Sequence, residues 1–174
     1  MTPTILQIDV PGLDDRADAL ADILSACVAQ GAAIGFMLPL SDAAARGFWT
    51  DAVRPEIAAG RRVLFGVTRG GDFLGAVQLL TAMPANQPHR AEIAKMVVHP
   101  RARRQGLGRL LMGAALDHAR AIGKTLVTLD TRTGDAAEAL YAAVGFQRAG
   151  VIPDYAWDPD GAARHGTTFM FARL

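Results

Sequence analysis

The chain has 174 residues, 51% hydrophobic and 20% charged, with a formal net charge of +1 and a single cysteine. That length suits one domain over 1–174 with a single large core, and the composition is that of a globular rather than a disordered chain. The near-zero charge excludes whole-molecule attraction to nucleic acid or an anionic membrane. One cysteine excludes an intrachain disulfide or a cysteine-based zinc cluster.

In chain order, "TILQIDV" (4–10) reads as a strand, and "PGLDDRADALADILSACVAQG" (11–31) as one helix ending at Gly31. Cys27 lies in that helical spacing and reads as a small buried hydrophobe. Residues 41–60 read as one or two helices, capped by Ser41 or Asp42 and interrupted by Pro55. "RRVLFGVTR" and "DFLGAVQLLTA", joined by Gly70-Gly71, form a hairpin, and "ANQPHR" is a polar loop before strand 91–98. From Leu107, apolar residues at 110, 111, 114, 115, 119 and 122 predict a helix ending at Gly123. A buried-type strand (124–130) follows, then a helix with Asp135 as N-cap and Gly145 as stop. Strands 146–152 and 167–174 close the chain around a long loop at 153–166. The order β-α-α-β-β-β-α-β-α-β-β implies an α/β fold with a mixed sheet of about seven strands and helices on both faces. The crossover from strand 91–98 to strand 124–130 is parallel and right-handed.

"VHPRARRQGLGRLL" (98–111) holds four arginines and a Gly-x-Gly directly before a helix. A helix N-terminus offers about four unpaired N–H groups and a favourable dipole to an anion, and glycine permits close main-chain approach. A Walker A loop is excluded, because the one Gly-Lys-Thr (123–125) precedes a strand and position 118 is His. A Rossmann fingerprint is excluded because position 111 is Leu where a third glycine is needed. An RNA surface would want more basic residues with aromatics interleaved.

The stretch resembles the coenzyme A loop of the GNAT superfamily of acetyltransferases, [RQ]-x-x-G-x-[GA] after a strand ending V-x-P. Here these are Arg103, Gly106 and Gly108 after Val98 and Pro100. A second GNAT pattern, A-x-x-L-Y-x-x-x-G-F, stands at Ala137, Leu140, Tyr141, Gly145 and Phe146, although Thr133-Gly134 replaces the family's frequent Asn. The resemblance implies a single-domain GNAT fold with a splay between strands 4 and 5, and acetyl-CoA as donor with no metal. It implies pyrophosphate binding at Arg103, Arg104, Gln105, Gly106, Leu107, Gly108 and Arg109, with Ala137 nearby. The pantetheine arm would lie along Met96, Val97 and Val98, with an N–H of Val97 or Val98 polarising the thioester carbonyl. Such a donor is worth roughly 3 kcal/mol of barrier.

An aliphatic amine, with a pKa of about 10.4, must lose a proton before attack, and a thiolate leaving group benefits from an acid. Tyr141 is the acid that the resemblance implies. Two bases stand open: Glu92, fourteen residues before Gly106 as in histone-acetylating members, and Asp130 at the end of the next strand. By strand alternation Lys95 faces away from Glu92. His99 reads as exposed and His118 as a helix boundary residue. His165, Tyr155, Trp157 and Asp158 border the acceptor, which loops 82–91 and 153–165 capture. "EIAKMVVHP" and "PDYAWDPDGAARHGTTFMF" are similar to tabtoxin-resistance-type members, implying a small amine such as a β-lactam amino acid toxin. A protein or peptide amine, or a cofactor-binding regulatory module without turnover, are the alternatives. The expected setting is cytoplasmic, as a monomer or homodimer, without membrane or nucleic-acid partner.

Overall fold

The computed structural model describes residues 1–174. Seven strands form one sheet in the order β1-β2-β3-β4-β5-β7-β6. They are β1 (Thr4–Ile8), β2 (Arg62–Arg69), β3 (Asp72–Leu80), β4 (Arg90–Val98), β5 (Leu126–Arg132), β6 (Gln147–Trp157) and β7 (Arg164–Arg173). Only β4 and β5 are parallel. Gly70 and Gly71, both at positive φ, make the two-residue turn between β2 and β3 that the sequence predicts.

One face of the sheet carries α5 (Leu107–Ala121), with α6 (Ala136–Ala143) beside it. The other carries α1 (Val10–Asp14), α2 (Ala17–Ala29), α3 (Asp42–Gly47) and α4 (Arg54–Ala58). Each face has its own buried cluster. Leu111, Met112, Val77 and Ile93 centre the first, and Leu20, Leu24, Trp49 and Leu64 the second. The expected helix 11–31 is two helices. Asp9 caps α1 by accepting from the Gly12 amide at 2.8 Å, and the backbone leaves helical geometry at Arg16. Ser41 caps α3 by accepting from Ala44 N–H. A wide π-helical turn over Phe48–Val53 then leads into α4, whose first turn absorbs Pro55 and its missing N–H. The buried stripe of α5 is Leu107, Leu111, Met112, Ala115, Leu116 and Ala119. Leu110 and Ile122, expected in the core, face solvent.

The predicted loop 153–166 is mostly strand. β6 and β7 extend around a short turn, with a bulge between Ile152 and Ala156 where Asp154 takes φ 51°. A bulge tolerates Pro153 and Asp154 within a ladder, which the composition alone did not signal. No helix is long and apolar enough to cross a membrane.

Candidate active site

The parallel pairing of β4 and β5 lasts only three residues, from Arg90↔Leu126 to Glu92↔Thr128. Beyond Glu92 the strands diverge. β5 stays paired with β7, while β4 from Ile93 to Val98 keeps only β3 as a neighbour. That edge of β4 therefore presents main-chain groups with no strand beside them, as the expected splay requires.

At the far end of this edge stands the arginine-glycine loop. The N–H groups of Arg104, Gln105, Gly106, Leu107, Gly108 and Arg109 are six consecutive amides without a hydrogen-bond partner in the chain. Arg104 and Gly106 both take left-handed φ, 62° and 79°, which curls the loop into the helix start. Six free donors at the positive end of a fifteen-residue helix make an anion cradle. The residues fit a pyrophosphate through main-chain donors.

Two parts of the sequence reading change here. Arg103 is already engaged: its N–H bonds to Pro100 O, its Nε donates to Val98 O at 3.3 Å, and its Nη2 lies 3.6 Å from Cys27 Sγ. The cradle thus begins at Arg104. Cys27 is buried as expected, with burial pushing its thiol pKa up. Gly108 is small for packing as well as for a ligand, since a Cβ there would stand 2.9 Å from Leu140 Cδ2 and 3.7 Å from Met96 Sδ. Ala137 and Leu140 bring α6 against the same cluster as Met96 and Val98.

At the near end, the register puts Glu92, Thr128 and Asp130 on the face that carries α2. Glu92 is committed to Arg90 (Nη1 to Oε2, 3.1 Å), and Arg90 also holds Thr128 Oγ1 and Gln87 Oε1. Asp130 opens to the cleft. Crowding by protein, then the Glu92 charge, hold its carboxyl above the usual carboxylate range, against the pull of Lys95. Tyr141 is buried beside Phe146, and burial followed by the charges of Asp135 and Asp130 pushes its hydroxyl well up. It stays protonated as a donor.

Lys95 does not face away. The pairs Ala76↔Val97 and Gln78↔Ala94 leave an extra residue on β4, and Lys95 takes φ 47° in that bulge. Its side chain returns to the Asp130 side, with Nζ against Gly35 and 5.9 Å from the Phe36 ring centre. Lys95 has its own pKa lowered, chiefly by burial. A bulge cannot be read from alternation, so the sequence placed this residue on the wrong face.

Above the cleft, segment 32–40 meets the β6–β7 turn, with Leu38 N–H bonding to Pro159 O at 2.7 Å. Arg132 locks Asp158 at the base of that turn by a two-pronged ion pair of 2.8 and 3.1 Å. Together they border a cavity of about 430 Å³ lined by Leu38, Arg132, Asp135 and Asp158. Segment 32–40 is the wall that the sequence did not reveal. Its one clue is an apolar run, "IGFMLPL", without helical or strand period. Loop 82–89 reaches the site through Gln87, which orients Arg90. Tyr155 and Trp157 are half-exposed on β6, packed against Phe169 and Arg164. His165 Nδ1 lies 3.0 Å from Gly166 O. His118 packs edge-on against Phe65, as a boundary residue does, whereas His99 is mostly buried, pairing with Asp22 and capping Arg101 N–H. In place of the family's Asn, Thr133 bonds Thr168, which donates to Glu138 at 2.6 Å.

The sequence profile of the GNAT acetyltransferase family matches residues 34–146. The chain belongs to that family. It is 35% identical over 101 residues to the N-alpha-acetyltransferase RimI of Mycobacterium tuberculosis, covering 58% of this chain and 61% of RimI. It is 36% identical over 88 residues to the Mycobacterium leprae protein ML0378, half of this chain and 24% of that one. The chain thus spans less than two thirds of either relative. Its fold is that of yncA from Salmonella typhimurium, solved with acetyl-CoA (TM-score 0.80, 20% identity, 100% of this chain and 95% of that one). It is also that of a ribosomal-protein-alanine N-acetyltransferase from Brucella melitensis (TM-score 0.82, 20% identity, 98% and 99%).

Proposed function

We propose that this GNAT chain transfers an acetyl group from acetyl-CoA to the amine of a small molecule, by direct attack in a ternary complex. One observation carries the reading. The unpaired β4 edge, Ile93 to Val98, runs from six free amides at 104–109 to the carboxyl of Asp130. Six residues of extended strand span about 20 Å, enough for an extended arm with its anionic end in the cradle and its reactive end in the cleft.

Acetyl-CoA supplies an activated thioester at that reactive end. The chain's own groups do the rest. Amides 104–109 hold the pyrophosphate, main-chain groups of Met96 and Val98 align the arm, and an N–H of Val97 or Val98 polarises the thioester carbonyl. Asp130, with its raised pKa, takes the proton from the incoming ammonium, directly or through water. Tyr141 donates toward the departing sulfur. Glu92, held by Arg90, stands beside Asp130 and helps to raise the pKa of that carboxyl.

The contact of segment 32–40 with the β6–β7 turn supports a small acceptor, because the same segment also reaches Lys95, whose charge acts on Asp130. The likeness to RimI favours a second reading, a protein or peptide N-terminal amine. Detoxification of a β-lactam amino acid or similar antimetabolite is the finer form of the first reading, supported by the sequence resemblance of the β4 segment and the tail.

Thiol release from acetyl-CoA, with mass analysis of products, tests both readings. The panel is amino acids, polyamines, aminoglycosides, β-lactam amino acids and a peptide with an N-terminal alanine. Release with a free small amine is expected. Acetylation of the peptide alone would replace the first reading by the second, and binding of acetyl-CoA without release on any amine would leave a regulatory module.

A further inference from the structure

The face of the cleft opposite Asp130 carries a group of buried donors that the acetyl-transfer chemistry does not use. We propose that Arg62, Gln78 and Lys95 form a carboxylate-binding subsite beside Asp130, so that the acceptor is a free amino acid or a close analogue. This rests on the acetyltransferase reading above and specifies its acceptor.

The register builds the subsite. Ala94 on β4 is flanked by Gln78 on β3, its paired residue, and by the splayed end of β5 with Asp130. Ala94 puts only a methyl group between those two walls. Lys95, turned inward by the bulge, and Gly35 with Phe36 from segment 32–40 bound the same space.

Its chemistry is one-sided. Gln78 is 0% exposed, yet its Nε2 has no partner. Its Oε1 accepts from Arg62 Nη1, and because an arginine can only donate, the amide orientation is fixed with the nitrogen left over. Arg62 Nε is likewise buried without a partner. Buried donors without acceptors are rare, since the desolvation cost goes unrecovered until an acceptor arrives. The charges agree. Glu92 answers Arg90 at 3.1 Å, and Asp130 answers Lys95 through space. Arg62 is left over, because Glu56, the carboxylate nearest in effect to it, is bound by Arg61 at 2.6 and 2.9 Å. The carboxylate of such an acceptor pairs with the charge left on Arg62 and offers oxygens to both orphan donors. With the carboxylate there, an amine a few bonds away is carried toward Asp130. A protein N-terminus has an amide at that position and offers no such charge.

The test compares L-amino acids with their carboxamides and decarboxylated amines, for the wild type and for Arg62→Met and Arg62→Lys. Two readouts are used: calorimetric titration of each amine into the protein saturated with coenzyme A, and thiol release from acetyl-CoA. Removal of the carboxylate should weaken binding and raise KM by roughly tenfold to a hundredfold, with a smaller effect on kcat. Arg62→Met should abolish that discrimination and Arg62→Lys should partly restore it, with coenzyme A affinity as the folding control. Equal handling of acid and carboxamide, or unchanged discrimination in Arg62→Met, overturns the subsite even if acetyl transfer stands. Carboxylate-selective binding without any thiol release upholds the subsite and overturns the transferase reading.

Discussion

Asp130→Asn should lower turnover by about a hundredfold to ten-thousandfold, the range in which a positioned general base contributes, while acetyl-CoA affinity persists. Asparagine keeps the shape and cannot take a proton. Steady-state kinetics with calorimetric Kd values check this. The pH profile adds a sharper readout. Only ionised Asp130 is a base, and its pKa is raised by crowding and by Glu92, so activity falls as pH drops through a value above the ordinary carboxylate range. In Glu92→Gln that acidic limb should move to lower pH, because the repelling charge is gone, with a smaller loss of turnover than in Asp130→Asn. If Glu92→Gln is instead the more damaging, Glu92 is the base. If neither affects turnover, the cleft is not where the proton is removed.

The second large effect is expected at Gly106. Its φ of 79° costs a residue with a Cβ about 1–2 kcal/mol, and a β-branched side chain there would also cover the donors of the cradle. Gly106→Val should therefore reduce acetyl-CoA affinity by more than about a hundredfold, since blocking the main-chain donors forfeits several charge-assisted contacts to the pyrophosphate. The wider site around Gly106 is open, so the fold itself should survive. Arg104→Ala is the comparison. Arg104 is exposed and contributes a screened side-chain charge, so its loss should weaken binding only several-fold and mainly at low salt. The reverse ranking would mean that the arginines, and not the amides, hold the ligand.

These expectations show which parts of the molecule were legible from its residues. The arginine-glycine loop was, because strand, glycine and helix start follow one another in the sequence, and the free amides are a local consequence. The positions of Asp130 on β5 and Tyr141 on α6 were also legible, the first from the strand pattern and the second from the family motif. Three things were not. Lys95 sits in a bulge, and a bulge depends on the mismatch between β3 and β4, which no single strand encodes. Arg103 looked like a phosphate ligand, yet the carbonyl of Val98 and the thiol of Cys27, brought by α2, bind it first. Segment 32–40 beside the cleft is irregular, and residues distant in sequence, among them Lys95 and Pro159, help to hold it. Local period fixes elements; contacts between distant elements decide which face a side chain serves.

The central claim is one continuous track from amides 104–109 along the β4 edge to Asp130. Amide chemical-shift perturbation on adding acetyl-CoA to the labelled protein tests it most directly. The largest shifts should fall on residues 104–109 and 93–98, with smaller ones around Asp130 and Tyr141. Shifts confined elsewhere, such as the surface cavity bounded by Arg16, Asp72 and Arg101, with residues 93–109 unmoved, would contradict it.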